Sequence, residues 1–449
     1  MARESAIHTV KEDPRKVEYA FLVGVQFPEQ SAEESEELLA ELAELTDTLG
    51  VAVVGRSVVR IRKPQARYLV GEGKADDVLD QAREAGADVV IFDDYLTPSQ
   101  QRNWEARAEL AVIDRQEVIL DIFAQRAHTS EASLQVELAR ANYSLPRLRR
   151  QWTHLHRQGG GAGGAGGAAT RGEGEQQIEV DSRLVRRRIA RLKTQLAQVQ
   201  KHRRTQRAKR LRRPVPVAAI VGYTNAGKSS LLNTMTNANV LTEDKLFATL
   251  DPTVRRVELP NKQPLLLADT VGFIRKLPHL LVEAFKSTLE ETALADLLVE
   301  VVDVTSRSIE EEQTTTQEVL AGLGAGEKPS ITVFNKIDLI EDDLVIRRLR
   351  RRHPDALFVS ARTGEGLDLL AARLAESVAG SMQQVELLVP HSRYDLMARL
   401  HSAATVLREQ YEDDGIHVTA NVPPDLHAAV AEFLSPSPAD GIDRSAPPC

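Results

Sequence analysis

Between residues 19 and 114, short apolar runs alternate with stretches in which leucine or alanine recurs every three or four positions. YAFLVGVQF (19–27), VAVVG (51–55), DVVIFDD (88–94) and AVID (111–114) read as strands. A helix follows Ser31-Ala32-Glu33-Glu34, a capping pattern, with Leu38, Leu39, Leu42, Leu45 and Leu49 on one face. Further helices are expected over 74–85 and from Thr97 onward. This alternation predicts a small α/β domain with a parallel sheet over residues 18–114. From Arg115 to about Ser144 the pattern is helical, and a basic stretch (145–158) continues it. GGGAGGAGGAA (159–169) is too glycine-rich to hold a helix, so it reads as the flexible tip of a helical hairpin spanning 115–213. Leu184, Ile189, Leu192 and Leu196 mark the second arm.

Residues 214–378 read as a second α/β domain, with strands at 215–221, 254–259, 264–269, 297–303, 330–334 and 356–360. A small third domain over 383–434 is expected to run strand (383–390), helix (392–411), strand (416–422), helix (424–434). Residues 1–17 are polar and 435–449 rich in proline and serine, so both ends read as flexible.

At 449 residues the chain exceeds what one core can organise. No apolar run reaches the roughly 18 residues of a membrane span, and the N-terminus shows no apolar leader segment. Cys449 is the only cysteine, which fits a reducing cytoplasm and excludes an internal disulfide. The net charge is −8, yet Arg183 to Arg213 holds 14 Lys or Arg and no acid. A long arm of one sign on an acidic protein predicts a polyanionic partner such as RNA. Aromatics are nearly absent from the basic stretches apart from Trp152, so phosphate contact is expected over base stacking. His154 and His156 stand two apart, off a shared helix face, and read as polar surface. Gly71-Glu72-Gly73-Lys74 reads as a strand-to-helix turn.

The chemistry begins at VAAIVGYTNAGKSSLLNTM (217–235), an apolar strand, a glycine loop and a helix in register. Gly222-Tyr223-Thr224-Asn225-Ala226-Gly227-Lys228-Ser229 fits the phosphate-binding loop GxxxxGK[ST]. Glycines let successive N–H groups turn toward a phosphate chain, and the helix adds its positive end. Lys228 can reach β- and γ-phosphates, and the Ser229 hydroxyl can ligate Mg²⁺. Asp269-Thr270-Val271-Gly272 ends a strand in DxxG, where Asp269 can hold Mg²⁺ through water and the Gly272 N–H can sense a γ-phosphate. Asn335-Lys336-Ile337-Asp338 discriminates the base, because the Asp338 carboxylate accepts from guanine N1–H and N2–H₂, a donor pair adenine lacks. Asn335 is expected to brace the loop, the Lys336 stem to cover the base, and Ser360-Ala361-Arg362 to turn backbone N–H groups toward guanine O6. In Phe247-Ala248-Thr249-Leu250-Asp251-Pro252-Thr253, either Thr249 or Thr253 can reach Mg²⁺ as the first switch. After DxxG, where many GTPases place a water-orienting glutamine, stands Phe273, which cannot bond water through its side chain; whether or not it is a core residue of the switch helix, another group must position that water.

With these five motifs the chain resembles the HflX family of translation-factor-class GTPases. RGEGEQQIEVDSR (171–183) is also similar to that family's interdomain segment, departing from it at Glu173 and Gln176. The resemblance implies a Ras-like P-loop GTPase domain and Mg²⁺-dependent hydrolysis of GTP to GDP, with Thr249 as the metal-binding threonine. Lys228, Thr249 and Gly272 are then the expected catalytic groups. It also implies a monomer that binds the large ribosomal subunit, reaches rRNA with its basic arm, and splits or rescues stalled ribosomes. Asn225 resembles the asparagine that ligates K⁺ in potassium-stimulated GTPases. The competing reading is a nucleotide-gated RNA-binding scaffold in ribosome assembly, with hydrolysis only as a reset.

Overall fold

Among the described residues three sheets carry the chain, each built from runs whose apolar side chains have nowhere else to go. The computed structural model describes residues 17–158, 169–210, 215–236, 246–247, 249–250, 253–277, 291–380, 383–422 and 424–434. The first sheet is formed by β1 (Tyr19–Gln26), β2 (Ala52–Arg60), β3 (Val89–Phe92) and β4 (Ala111–Asp114), in the order β2-β1-β3-β4 with every pair parallel. Helices α1 (Ala32–Thr48), α2 (Glu72–Glu84) and α3 (Pro98–Ala108) cover its faces. Ser31 caps α1, its Oγ accepting from the Glu34 N–H at 3.0 Å, and Gly71 occupies the turn into α2. Leu22, Leu39 and Leu42 fill one face, while Val23, Phe92 and Trp104 fill the other. The sheet reverses direction between β1 and β3, and Asp93 and Asp114 lie at its carboxyl edge, where doubly wound sheets place functional groups.

Helix α4 (Arg115–Arg126) leads to the hairpin of α5 (Ser130–Gln158) and α6 (Ala169–Arg210). Ala169, assigned to the glycine tip from sequence, lies in α6; the rest of that tip falls outside the described residues. So do residues 1–16 and 435–449, where flexible ends are expected. Leu184 is corrected as well: it is 55% exposed. The packed seam instead runs through Val185, Ile189, Leu192, Leu196 and Val199, a four-then-three spacing that starts one residue later.

The central sheet comprises β5 (Val217–Gly222), β6 (Thr253–Glu258), β7 (Pro264–Asp269), β8 (Leu297–Asp303), β9 (Ser330–Asn335) and β10 (Leu357–Phe358). Its order is β10-β9-β8-β5-β7-β6, parallel except for β6 against β7. Helices α7 (Lys228–Thr236), α8 (Ile309–Gly322), α9 (Asp343–Arg352) and α10 (Leu367–Gly380) accompany this sheet among the described residues.

The last sheet pairs β11 (Gln383–Val389), β12 (Thr405–Glu412) and β13 (Gly415–Val422) antiparallel in the order β11-β13-β12, packed on α11 (Tyr394–Ala403) and α12 (Pro424–Val430). The helix expected over 392–411 therefore ends at Ala403, and its second half is a strand. Ala404 is extended (φ −123°, ψ 164°), and Glu412 pairs with Gly415 across the two-residue turn Asp413–Asp414. Asp-Gly after a segment of valine, leucine and tyrosine is a hairpin signal, and pairing with β13 makes this segment a strand. Among the described residues no helix is long and apolar enough to cross a membrane.

Candidate nucleotide-binding site

The loops that follow β5, β7 and β9 gather at one end of the central sheet. Gly222 adopts φ +139° and approaches Val301 so closely that any Cβ would collide with its carbonyl oxygen. Gly227, at φ +90°, similarly leaves no room between itself and the Asn335 amide. Asn225 takes the left-handed region between them, at φ +60°. Ala226 is buried, and Lys228 opens α7 with only 6% of its surface exposed. Its Nζ donates to the Tyr223 carbonyl at 2.5 Å and the Gly222 carbonyl at 3.2 Å. Burial lowers its pKa to about 8. A phosphate oxygen entering the loop would replace these carbonyls with a full negative charge and favour the ammonium again.

Beside Lys228 three oxygens converge. Ser229 Oγ donates to Asp269 Oδ2 at 2.6 Å, Thr249 Oγ1 donates to the same oxygen at 2.9 Å, and the two hydroxyls stand 2.7 Å apart. Asp269 Oδ1 is buried with no hydrogen-bond partner, and burial raises the pKa of its carboxyl. A hard divalent cation would offset that desolvation, and a hydroxyl–hydroxyl–carboxylate set suits Mg²⁺ completed by phosphate and water oxygens. Of the two candidate threonines, Thr249 is the one in this cluster; Thr253 begins β6, paired with Asp269 across the sheet. Thr270 Oγ1 donates to the Ile220 carbonyl at 2.7 Å, fixing DxxG to β5, while Val271 is buried and Gly272 lies against Thr224 and Lys228. Ala248 and Asp251 fall outside the described residues.

Asn335 joins three loops with one amide. Its Nδ2 donates to the Ala226 carbonyl at 2.9 Å, and its Oδ1 accepts from the Ala361 N–H at 2.9 Å. Lys336 is left-handed (φ +68°) and its ammonium pairs with Asp303 at 2.7 Å. Ile337 is buried, whereas Asp338 faces outward and accepts from Ser360 Oγ at 2.6 Å. Arg362 is exposed just beyond. Asp338 and Ala361 are thus linked through Ser360 and Asn335, which ties the two segments expected to face the base into one unit.

Phe273 resolves into the core. It is 1% exposed, and its backbone exchanges hydrogen bonds with Gly222 and Thr224, at 3.1 and 2.7 Å. Its side chain joins a cluster that includes Phe247, Leu250 and Tyr223, and Phe123 of α4 meets Phe247 edge-on at 4.6 Å between centroids.

Sequence reasoning missed the polar half of this contact. Tyr223 does not turn its side chain toward the loop mouth; its phenol donates to Glu41 of α1 and accepts from the Arg275 N–H at 2.7 Å. Burial and the Glu41 carboxylate push that phenol's pKa well up, so it stays a donor. Arg115 bonds both Glu41 and Asp93, and Lys276 reaches Asp93 at 2.6 Å and Asp94 at 2.7 Å. The partners are up to 183 positions apart, so no local pattern announces them.

Family models match along most of the chain. A GTP-binding GTPase N-terminal model matches residues 36–124, and a GTP-binding GTPase middle-region model matches 126–210. A model described as 50S ribosome-binding GTPase matches 217–336, and an HflX C-terminal domain model matches 345–430. The GTPase HflX of Akkermansia muciniphila is 48% identical, the match covering 95% of this chain and 99% of that protein. The GTPase HflX of Escherichia coli is 43% identical over 89% of this chain and 93% of its own length. Among solved structures, a GTP-binding protein from Sulfolobus solfataricus in complex with GDP is similar, at 23% identity and a TM-score of 0.41, over 80% of this chain and 98% of that one.

Proposed function

The chain belongs to the HflX family of GTPases and GTP hydrolysis is its chemistry; on that premise we propose that it acts on the ribosome, binding the large subunit and splitting or rescuing stalled particles. The observation that carries the nucleotide reading is the Ser229–Thr249–Asp269 oxygen cluster set beside Lys228. Loop N–H groups and Lys228 bind and orient the triphosphate, and Gly272 is close enough to Lys228 to feel whether a γ-phosphate is present. Ser229, Thr249 and Asp269 would hold Mg²⁺, which supplies charge neutralisation between β- and γ-phosphates. Asp338 selects guanine, with Asn335 keeping its loop in register.

The mechanical part is the hairpin. Arg183, Arg186, Arg187, Arg191 and Lys193 are exposed on α6, which supports an arm that engages rRNA phosphates. Arg188 instead pairs with Glu137 across the hairpin and stiffens it. Loss of the γ-phosphate releases Thr249 and Gly272, and that change in the switch segments is what the arm must report.

Sedimentation of intact ribosomes with the protein and a non-hydrolysable GTP analogue tests this reading. Free subunits should accumulate. Binding only to large-subunit precursors, with intact ribosomes unaffected, would replace it with the assembly-scaffold reading.

The resemblance of Asn225 to the K⁺-ligating asparagine of potassium-stimulated GTPases supports a monovalent cation beside the phosphates. Hydrolysis is therefore expected to run severalfold faster in potassium than in sodium buffer at equal ionic strength; equal rates would remove the cation from the scheme.

A further inference from the structure

The hydrolysis that this family membership assigns needs a water held in line with the γ-phosphate, and the residue after DxxG is withdrawn from that task. Phe273 is buried among apolar side chains and has no group that could bond water. One hydroxyl in the loop is unemployed. Thr224 is 6% exposed, and its Oγ1 has no hydrogen-bond partner. A buried hydroxyl in that state costs free energy unless something absent from the protein itself completes it.

Its position says what that would be. A Cβ built on Gly272 would lie 2.8 Å from Thr224 Cα, 2.9 Å from Thr224 Cγ2 and 2.9 Å from Lys228 Nζ. Thr224 therefore lies against Gly272, in the same corner as the Lys228 ammonium, and both the Gly272 N–H and that ammonium are expected to meet the γ-phosphate. Its backbone is clamped there, the Thr224 N–H donating to the Phe273 carbonyl at 2.7 Å. The phenylalanine that cannot hold water thus fixes the residue that can.

We propose that the Thr224 hydroxyl positions the attacking water for γ-phosphate hydrolysis. It donates its proton to a γ-phosphate oxygen and accepts a hydrogen bond from the water. The water oxygen forms its bond to the γ-phosphorus as the bond to the β–γ bridging oxygen breaks, the electron pair leaving with GDP. The proton that the water loses ends on the phosphate product, and Thr224 is unchanged at the close of the cycle. A hydroxyl fixed at one point reduces the orientational freedom of the water, an effect worth on the order of 10- to 100-fold in rate.

Single-turnover hydrolysis by the full chain, with GTP and GDP affinities measured separately by fluorescent-nucleotide titration, tests this. Thr224→Val keeps the shape and removes the hydroxyl; it should slow hydrolysis by roughly 10- to 100-fold while both affinities stay within about threefold, and it should lose affinity for GDP with aluminium fluoride, the mimic of the reacting phosphoryl group. Thr224→Ser should restore most of the rate. Full-rate hydrolysis by Thr224→Val overturns the proposal, as does a Thr224→Ser variant as slow as the valine one, or a parallel loss of GTP and GDP affinity. If the valine variant does not fold, Thr224→Ala set against Thr224→Ser carries the same comparison. Failure of the unmodified protein to hydrolyse bound GTP at all would instead sink the GTPase reading together with this one.

Discussion

Replacing Arg115 by methionine should destabilise the N-terminal domain by about 3–5 kcal/mol, the cost of leaving buried carboxylates without their cation. Arg115 is 1% exposed and lies between Asp93 (2%) and Glu41 (8%). Burying that guanidinium is itself unfavourable, and only the two carboxylates make it tolerable; their attraction holds its pKa above the usual arginine range. Without it, Glu41 keeps the Tyr223 phenol and a distant Arg275 at 3.9 Å, and Asp93 keeps Lys276. Those three partners belong to the nucleotide-binding domain, so the variant should also weaken the contact between the domains. Trp104 is fully buried in the affected core, and its fluorescence during urea unfolding reports the loss. An unfolding midpoint equal to that of the unmodified protein would show that the ion cluster contributes nothing net. Lys276→Met is the internal comparison, because its side chain is 30% exposed and water can partly replace it, so its effect should be the smaller one.

Asp338→Asn should change which base the site accepts. The carboxylate offers two acceptors to the N1–H and 2-amino donors of guanine, and hydrogen bonds to a charged group contribute about 1.5–3 kcal/mol each. Asparagine keeps one acceptor and presents an amide N–H₂ in place of the other, so its donors face those of the 2-amino group. GTP affinity should therefore fall by roughly 10²- to 10³-fold. Xanthine carries a carbonyl where guanine carries the amine, and asparagine can donate to it while still accepting from N1–H, so XTP should bind where it previously did not. Ser360 Oγ, which donates to Asp338 Oδ1 at 2.6 Å, can donate equally to the asparagine carbonyl, so the loop should survive. Calorimetric titration with both nucleotides decides the matter. Unchanged GTP affinity, or no gain for XTP, would mean that Asp338 does not meet the base.

The nucleotide site was legible because its chemistry is written in short segments. A phosphate loop needs glycines at fixed positions, and Gly222 and Gly227 occupy backbone conformations and spaces closed to other residues. Asn335 and Asp338 lie within a four-residue turn, and their separation from Ala226 and Ser360 is absorbed by the sheet. The ion cluster under Tyr223 was not legible, since Glu41, Asp93, Arg115 and Lys276 each look like ordinary surface charges until three elements fold over them. The strand at 405–412 was misread for a different reason: the pairing that makes it a strand comes from across a turn, outside the stretch itself. Leu184 differs again, because a helical stripe read from sequence carries an uncertain phase, and only packing shows that Val185 leads it.

The doubly engaged Asn335 amide has one further consequence. An aspartate there would offer only acceptors and an alanine nothing, so the tie between Ala226 and Ala361 depends on a side chain with one donor and one acceptor at its tip. That tie is made entirely within the protein. The pocket accordingly has one wall tied together by Asn335, expected to meet the nucleobase, and another around Thr249, two residues from Phe247, whose ring meets a ring from another domain. The nucleoside should anchor first, and the tail of phosphates then reads out whatever posture the neighbouring domain has imposed.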